Sequence, residues 1–430
     1  MKNLLKMAVV AALSLAAVSA SATDSRINSL SAGNVDMTNA ANAANGAAGL
    51  SFNEKALTIR DTANIYAFPQ YLPTYKNSVD ADAVQGASYG TMNIRYALSD
   101  DAVLLLYGKR SAWKPVVNIN SVAGASVPGV SGYSYPVDPT NHQFGIGFGM
   151  KAGETVKIGA HASIGGHNAS TNQPKNNTLF DLTAGLGLEL SETNSLDFGL
   201  NLGFGSFNDF NTSGQAEYQP AGIFNFGLNF KGEFQVHQIA KIVPYAVFRL
   251  DSRAVNHGQN IAGTNQAQQG SLSITALQLG SDLAIQPVEG VLIQPGIGLG
   301  FATSSVSGTT QQVASGAPVI INTADNSSNR IVPYYGFAAE AKAFDWMKLR
   351  LGARQQIVTT NIGNTAQSGQ PSTEQHTSDV VNTVTTGMGF NLMGWDLDVN
   401  VNPSYFNNGV FAATGTATAW GVDWALLYRW

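Results

Sequence analysis

The sequence contains no cysteine, so it can form neither a disulfide framework nor a thiolate metal site. In an exported chain of this size, that absence argues against a set of small disulfide-stapled domains. Only 12% of the residues are charged, about half the share in a typical soluble protein. No run of about 18 apolar residues follows residue 22, which excludes helical membrane spans. With 44% hydrophobic residues and 45 glycines, the chain is best explained as a transmembrane β-barrel, whose lipid-facing residues are apolar without being consecutive.

The first residues have the pattern of a secretory signal peptide. Lys2 and Lys6 surround the start of an apolar stretch too short to span a membrane, and Ala20-Ser21-Ala22 is a small-x-small cleavage pattern. We predict a signal peptide over residues 1–22, cleaved before Thr23. Cleavage removes two of the 23 basic residues and none of the 28 acidic ones, so the formal charge changes from −5 to −7 (21 basic against 28 acidic). No basic patch suggests nucleic acid, and a mildly acidic exported chain fits the cell envelope.

Apolar side chains alternate with small or polar ones along most of the chain. In HQFGIGFGMK, for example, Phe144, Ile146 and Phe148 share one parity and glycines occupy the other. Successive side chains of a strand point to opposite faces, so each such segment has one apolar face. Fifteen segments show the pattern: 84–98, 102–110, 142–151, 155–164, 178–190, 195–206, 222–236, 243–254, 271–286, 291–303, 329–343, 347–360, 379–392, 395–402 and 419–430. Most have the length that a tilted strand needs to cross a bilayer.

The connections between these segments alternate in length. Short turns follow residues 98, 152, 190, 286, 343 and 392, whereas longer polar stretches cover 111–141, 165–177, 207–217, 255–270, 304–328, 361–378 and 405–417. Short periplasmic turns and long outer loops are typical of an outer-membrane barrel, which needs an even number of strands. We therefore predict an all-β fold, a transmembrane antiparallel β-barrel of 14–16 strands. Either residues 62–76 supply a sixteenth strand, which we favour, or one segment is miscounted and there are 14.

The chain ends with AWGVDWALLYRW, residues 419–430, in which Trp424, Leu426, Tyr428 and Trp430 share one parity. This pattern predicts the last strand of the barrel. The segment also resembles the C-terminal signal of bacterial outer-membrane proteins, which ends in an aromatic residue. That resemblance implies the barrel assembly machinery as a partner of residues 419–430.

Residues 23–61 lack the alternation, and a segment containing Asp61, Asn64, Phe68 and Pro69 follows them. Together with the barrel layout, residues 26–76 resemble the plug-to-barrel passage of the long-chain fatty-acid transporter family of outer-membrane proteins, with Phe68-Pro69 at the position of that family's Asn-Pro-Ala turn. The resemblance implies an N-terminal plug in the lumen, a plug–barrel junction at these four residues, and passage of hydrophobic molecules. The domains are then a signal peptide (1–22), a plug or periplasmic segment (23–61) and a transmembrane barrel (62–430).

The face opposite the apolar one predicts the lumen, and it carries charges of both signs. The densest run gives our candidates for lumen-lining residues: Glu340, Lys342, Lys348, Arg350, Arg354, Asp396, Asp398 and Asp423. One interpretation is that these residues satisfy one another and hold the plug. The other is that Lys348, Arg350 and Arg354 attract an anionic headgroup or solute along the pore. Glycines recur on the same face between Gly145 and Gly205, which predicts close approach of the plug or of a ligand there.

No arrangement of side chains predicts catalysis, because the six histidines show neither metal-ligand spacing nor a Ser–acid arrangement. We therefore expect no enzyme, no cofactor and no metal site. The main hypothesis is a channel in the cell outer membrane for passive uptake of small, mainly hydrophobic molecules. The alternatives are a water-filled porin for polar solutes and a closed structural or adhesive barrel that acts through its long loops. Expected partners are outer-membrane lipid, the assembly machinery and a small-molecule solute, without nucleic acid.

Overall fold

The computed structural model describes residues 24–31, 35–36, 51–52, 55–84, 89–109, 117–118, 142–170, 174–208, 216–261, 264–314, 317–364, 373–401 and 422–430. In this part of the chain, sixteen antiparallel strands form one closed barrel. The barrel confirms the predicted fold class. Its sixteen strands equal the upper limit of the predicted 14–16. Each strand pairs with its neighbours in the sequence of barrel strands, and the last strand pairs with the first through Trp424–Ala83 and Arg429–Ser78. Closure pairs the two strands that would otherwise be sheet edges.

The barrel strands are β3 (Ser78–Val84), β4 (Tyr89–Ala97), β5 (Ala102–Lys109), β7 (His142–Ala152), β8 (Val156–Ser170), β9 (Pro174–Glu189), β10 (Ser195–Asn208), β11 (Ala216–His237), β12 (Ala240–Ile261), β13 (Thr264–Ile285), β14 (Val291–Ala314), β15 (Ala317–Phe344), β16 (Met347–Asn364), β17 (Thr373–Leu392), β18 (Trp395–Val401) and β19 (Val422–Arg429). The predicted C-terminal strand is therefore confirmed as β19.

The sixteenth strand is not the one that the sequence suggested. Residues 62–76 form two 3₁₀ helices, Thr62–Tyr66 and Pro69–Tyr75, and the additional strand is β3. The physical reason lies in local chemistry that favours turns. Asp61 and Asn64 form a reciprocal capping box around the first helix, and Pro69 and Pro73 cannot donate to a β-ladder.

The predicted short turns lie where the sequence placed them, for example between β15 and β16 and between β17 and β18. The polar stretches 255–270 and 304–328, however, consist largely of strand, because β12 to β15 continue through them. Their ladder pairing stays regular over these residues, with one register shift near Thr310. Polar composition thus marks the end of the lipid-facing band rather than the end of the strands.

The outward face is apolar over the membrane-facing part of the wall. Large exposed side chains alternate there along single strands, as with Phe144, Ile146 and Phe148 of β7. Aromatic rings cluster at the short-turn end, where Phe344 stacks on Trp346 at 5.5 Å between centroids. Such a girdle suits a membrane interface. None of the helices among the described residues reaches the length and apolar character that a helical membrane span requires.

Ahead of β3, the chain forms helix α1 (Asp24–Ser31), short strands β1 (Val35–Asp36) and β2 (Ser51–Phe52), helix α2 (Lys55–Thr58) and the two 3₁₀ helices. We call the described residues from 24 to 75 the lumenal segment. Helix α1 contacts β15 to β18, whereas the second 3₁₀ helix contacts β5, β7, β8 and β9. Strand β6 (Val117–Asn118), which belongs to the connection between β5 and β7, pairs with β2 and completes a small sheet in the order β1-β2-β6.

Candidate functional site

The inner face of the barrel is polar and charged, and many of its side chains are buried. Buried inner residues include Asp197 of β10, Asp282 of β13, Glu340 of β15 and Arg350 of β16. Charged groups are seldom buried without partners, because their desolvation costs several kcal/mol each, on the order of what a whole domain gains in stability. The partners of these groups therefore define what the lumen holds.

A network of alternating charges connects α1 to the wall. Arg26 donates to Glu340 through Nε at 2.8 Å and through Nη2 at 3.0 Å, and its Nη1 lies 3.3 Å from Asp61 Oδ2. Glu340 also accepts from Arg350 Nε at 2.7 Å, and Arg350 Nη1 lies 2.6 Å from Asp398 Oδ1. We call these five residues the α1 charge network. Burial disfavours the charge of Arg26, but the carboxylates of Glu340 and Asp61 outweigh burial, so the pKa of Arg26 lies above its ordinary value.

Two more of the predicted lining residues lie close to α1. Arg354 is buried, and its Nη1 donates to the carbonyl oxygen of Ser31 at 3.2 Å. Lys348 precedes Arg350 by two positions on the same face of β16 and is partly buried. The basic side chains that the sequence offered for attracting a solute therefore lie around α1. This placement favours the interpretation in which the charges hold the N-terminal part of the chain.

The remaining three candidates have other surroundings. Lys342 is exposed at the short-turn end and pairs with Asp345 at 2.8 Å. Asp396 is buried on β18, 3.7 Å from Arg429. The backbone of Asp423 belongs to β19, and its side chain lies outside the described residues. Within the charged run, Glu340, Arg350 and Asp398 thus belong to the α1 charge network, Lys348 and Arg354 lie near it, and Lys342 and Asp396 pair at the turn and in the wall.

Helix α2 makes a second attachment, which the sequence did not reveal. Lys55 Nζ lies 2.6 Å from Asp282 Oδ2, and Thr58 Oγ1 donates to the same oxygen at 2.5 Å. Gln294 Nε2 of β14 donates to it as well, at 2.8 Å. All four side chains are buried. Lys55 and Asp282 are 227 positions apart, and no local pattern around either residue marks the pair.

The four predicted junction residues all lie in the lumenal segment, just ahead of β3. Asp61 caps the first 3₁₀ helix by accepting from Ala63 N at 3.1 Å, and the Asn64 side chain accepts from the Asp61 backbone. Phe68 is fully buried, and Pro69 begins the second 3₁₀ helix. The assignment of a plug–barrel junction to these residues stays a prediction.

A row of glycines receives the backbone around Pro69. Four of them pair directly with one another across β7 to β10: Gly149, Gly159, Gly185 and Gly199. A Cβ at Gly159 would overlap the carbonyl group of Pro69, and a Cβ at Gly199 would overlap the carbonyl oxygen of Ala67. The predicted close approach at these glycines is therefore confirmed. The approaching chain is Ala67–Leu72 rather than residues 23–61, to which the sequence had assigned the plug.

Side chains next to the glycine row complete this contact. Tyr71 donates its hydroxyl hydrogen to Asp197, and Gln70 Nε2 donates to Asp197 Oδ1 at 3.1 Å. Lys231 Nζ lies 4.7 Å from the ring centroid of Tyr71 and 5.7 Å from that of Phe68. These distances are within the range of cation–π attraction. Sequence reasoning missed Gln70 and Tyr71, because ordinary residues in a short irregular segment carry no periodic signal. Lys231 lies on the inner face of β11, where no local pattern sets it apart from the other inner residues.

One sector of the inner face is apolar instead of charged. Its buried side chains lie on β12 to β16: Val247, Ile274, Ala276, Ala302, Val332 and Val358. They belong to the same apolar cluster as Val35 and Leu57 of the lumenal segment. A water-filled barrel is expected to have a polar interior, so this sector departs from the porin pattern. In the described part of the chain, no group of three or more His, Asp or Glu side chains could hold a metal ion.

A closed sixteen-stranded barrel with an apolar outer belt and a charged interior defines an outer-membrane β-barrel protein, located in the cell outer membrane. No protein-family profile matches the sequence, and no curated protein sequence is detectably similar to it.

Solved structures with a similar fold include three barrels. The ferric citrate transporter FecA in its unliganded form is 10% identical, with 76% of this chain and 44% of that chain covered and a TM-score of 0.43. The siderophore receptor PiuA from Acinetobacter baumannii is 8% identical, with 73% of this chain and 56% of that chain covered and a TM-score of 0.41. The translocator domain of autotransporter NalP from Neisseria meningitidis is 13% identical, with 65% of this chain and 89% of that chain covered and a TM-score of 0.31. The chain thus spans about half the length of the first two, and the likeness carries no assignment of solute or partner.

Proposed function

We propose that the protein is a plugged outer-membrane channel through which small, mainly hydrophobic molecules pass by diffusion. The observation that carries this proposal is the attachment of the lumenal segment to opposite sides of the inner wall. Arg26 binds Glu340 on one side, and Ala67–Leu72 lies against the glycine row on the other. A segment fixed at both sides of a lumen obstructs free flow of water and ions.

The apolar sector of β12 to β16 supports hydrophobic molecules as the solute class. Side chains such as Val247, Ile274 and Val332 are buried in one cluster with Val35 and Leu57 of the lumenal segment. A solute that displaces this segment meets apolar groups there, which offer no hydrogen bonds to a sugar or an ion. The resemblance to the long-chain fatty-acid transporter family agrees with this class. We further propose that β19 is the strand that the assembly machinery binds.

Conductance separates this proposal from its rivals. We expect the purified protein in planar bilayers to show small or absent ion conductance, and a variant lacking residues 24–60 to show a stable conductance at least about tenfold larger. Lys342→Ala, which changes an exposed pair at the turn, serves as the control and should behave as the wild type. Large conductance of the intact protein, with swelling of liposomes in arabinose, would instead identify a porin for polar solutes.

Uptake of an apolar probe tests the solute class. Cells that produce the protein should accumulate radiolabelled toluene faster than cells with an empty vector, while their uptake of arabinose stays unchanged. A closed structural barrel would raise neither uptake rate. Equal rates with and without the protein would therefore contradict the channel proposal.

A further inference from the structure

The outer face of β9 to β13 has a depression with a volume of about 520 Å³. Its rim consists of long apolar side chains that face outward: Leu186, Phe198, Leu200, Leu228, Phe230, Phe248 and Leu277. Two small outward residues, Ala184 beside Leu200 and Ala246 beside Phe230, leave the space open. Phe198 and Phe230 pack at 5.3 Å between centroids and form one side. We call this depression the wall groove.

The floor of the wall groove is backed by protein. Gly185 and Gly199 contribute their backbone to the groove, and on the inner side of the wall they contact Gln70 and Ala67 of the lumenal segment. At Gly185 and Gly199, the backbone of the barrel wall therefore lies directly against the lumenal segment. A backed floor keeps the shape of the groove fixed, which allows it to select for one occupant.

The surroundings of the wall groove identify that occupant. The groove opens outward, where Leu186, Phe198 and Leu228 are among the exposed apolar side chains of the lipid-facing band. It is therefore continuous with the interface between barrel and hydrocarbon. Leu186 and Phe198 lie close to the short turn between Glu189 and Ser195, and short turns belong to the periplasmic side. The leaflet on that side consists of phospholipid.

We propose that the wall groove binds one acyl chain of a phospholipid from the periplasmic leaflet. A flexible linear chain fits a space bordered by leucine and phenylalanine and floored by backbone. Hydrocarbon already surrounds the groove, so the hydrophobic effect does not select the bound chain; van der Waals contact with the rim and floor does. The lining side chains are apolar apart from Asn229, whose amide is engaged with Asn201 and Ala67 on the inner side, so the headgroup remains at the interface. This inference depends on the membrane location alone and is independent of transport.

Photo-crosslinking tests the proposal. The full-length protein is reconstituted into vesicles of phosphatidylethanolamine and phosphatidylglycerol with a trace of phosphatidylethanolamine that carries a diazirine in its acyl chain. After irradiation, labelled peptides are identified by mass spectrometry. We expect labelling of peptides from 184–200 and 228–248 to exceed that of the outward face of β15 and β16 by at least about fivefold. Uniform labelling around the barrel would overturn the proposal.

A variant with a large side chain in the wall groove is compared with a variant that carries the same change elsewhere on the outer face. Ala246→Phe should reduce labelling of the groove peptides to the level of the other strands. Ala353→Phe, the same change at an outward alanine of β16, should leave it unchanged. Heat-modifiable migration on gels verifies that both variants are folded. Equal labelling of the groove in Ala246→Phe and wild type would contradict the proposal.

Other occupants give distinct results. Preferential labelling by a photoreactive lipid A would assign the groove to the outer leaflet, and protein–protein crosslinks through Phe198 or Leu228 would assign it to a second copy. Loss of groove labelling on addition of toluene, at amounts that leave labelling elsewhere unchanged, would assign it to a solute. Each of these three outcomes would overturn the phospholipid proposal.

Discussion

The two ends of the lumenal segment contact the same inner wall through different chemistry. Helices α1 and α2 depend on buried ion pairs, in which Arg26 and Lys55 bind carboxylates of β15 and β13. Residues 67–72 depend mainly on shape, because their backbone lies against Gly159 and Gly199 where no side chain intervenes, while Gln70 and Tyr71 add hydrogen bonds to Asp197. An ion pair tolerates small displacements, since charges still attract at a slightly longer distance. Backbone contact against a glycine tolerates none, because a single added Cβ overlaps it.

This difference predicts that the glycine row is the more sensitive attachment. The double variant Gly159→Val and Gly199→Val places side chains where Pro69 and Ala67 lie, and each overpacked site costs about 1–3 kcal/mol or more. We expect residues 67–72 to leave the wall, with ion conductance rising at least about tenfold and Lys55 becoming accessible to trypsin.

The control for this variant uses a glycine with open surroundings. Gly222→Val adds a side chain where no heavy atom lies within 4 Å of the new Cβ, so conductance and trypsin resistance should stay at wild-type values. If the double variant also behaved as the wild type, the glycine row would not be an attachment of the lumenal segment.

Removing the central charge of the α1 charge network should have the next largest effect. Arg26→Met removes the ion pairs of Arg26 with Asp61 and Glu340, and Glu340 keeps its ion pair with Arg350. Breaking a buried pair by removing one partner costs about 3–5 kcal/mol, here reduced by the remaining contact. We expect about 3 kcal/mol, which corresponds to on the order of 100-fold faster trypsin cleavage after Lys55 if opening is rapid.

The companion variant separates charge from packing. Arg26→Lys keeps a positive charge but loses the two parallel hydrogen bonds to Glu340, so its cleavage rate should lie between those of wild type and Arg26→Met. Equal rates in wild type and Arg26→Met would show that α1 is held by other contacts.

A single hydroxyl beside the glycine row should give the smallest effect. Tyr71→Phe removes the hydrogen bond to Asp197, which still accepts from Gln70, and retains the ring that faces Lys231. A hydrogen bond to a charged group contributes about 1.5–3 kcal/mol, so cleavage after Lys55 should rise on the order of tenfold. Tyr96→Phe, an outward tyrosine of β4, is the control and should have no effect. Cleavage as slow as in the wild type would show that this hydroxyl does not help to hold residues 67–72 against the wall.

The sequence predicted the wall of the barrel better than its contents. Alternation in segments such as 142–151 follows from local geometry, because neighbouring residues of a strand face opposite sides. The same rule failed at residues 62–76, where Asp61, Asn64 and two prolines favour 3₁₀ helices over a strand. It also ended β12 and β14 too early and began β13 and β15 too late, since strands that continue beyond the membrane no longer need an apolar face.

The candidate site was predicted in part. The charged run around Glu340 and Arg350 and the glycines between 145 and 205 were recognisable, because both break the expected composition of an inner face. Their partners were not, since Arg26 and Glu340 are 314 positions apart and no local pattern records such a pair. Lys55 and Tyr71 gave no signal for the same reason.

By itself, the sequence determined that this chain forms strands with one apolar face, how their turns alternate, and that the last strand ends in aromatic residues. These properties depend on neighbours along the chain. Only the tertiary structure decided that β3 closes the barrel, that four glycines align into one row, and that Ala67–Leu72 lies against them. Those facts depend on the register of sixteen strands in the described part of the chain, and register is set by the closure of the whole sheet.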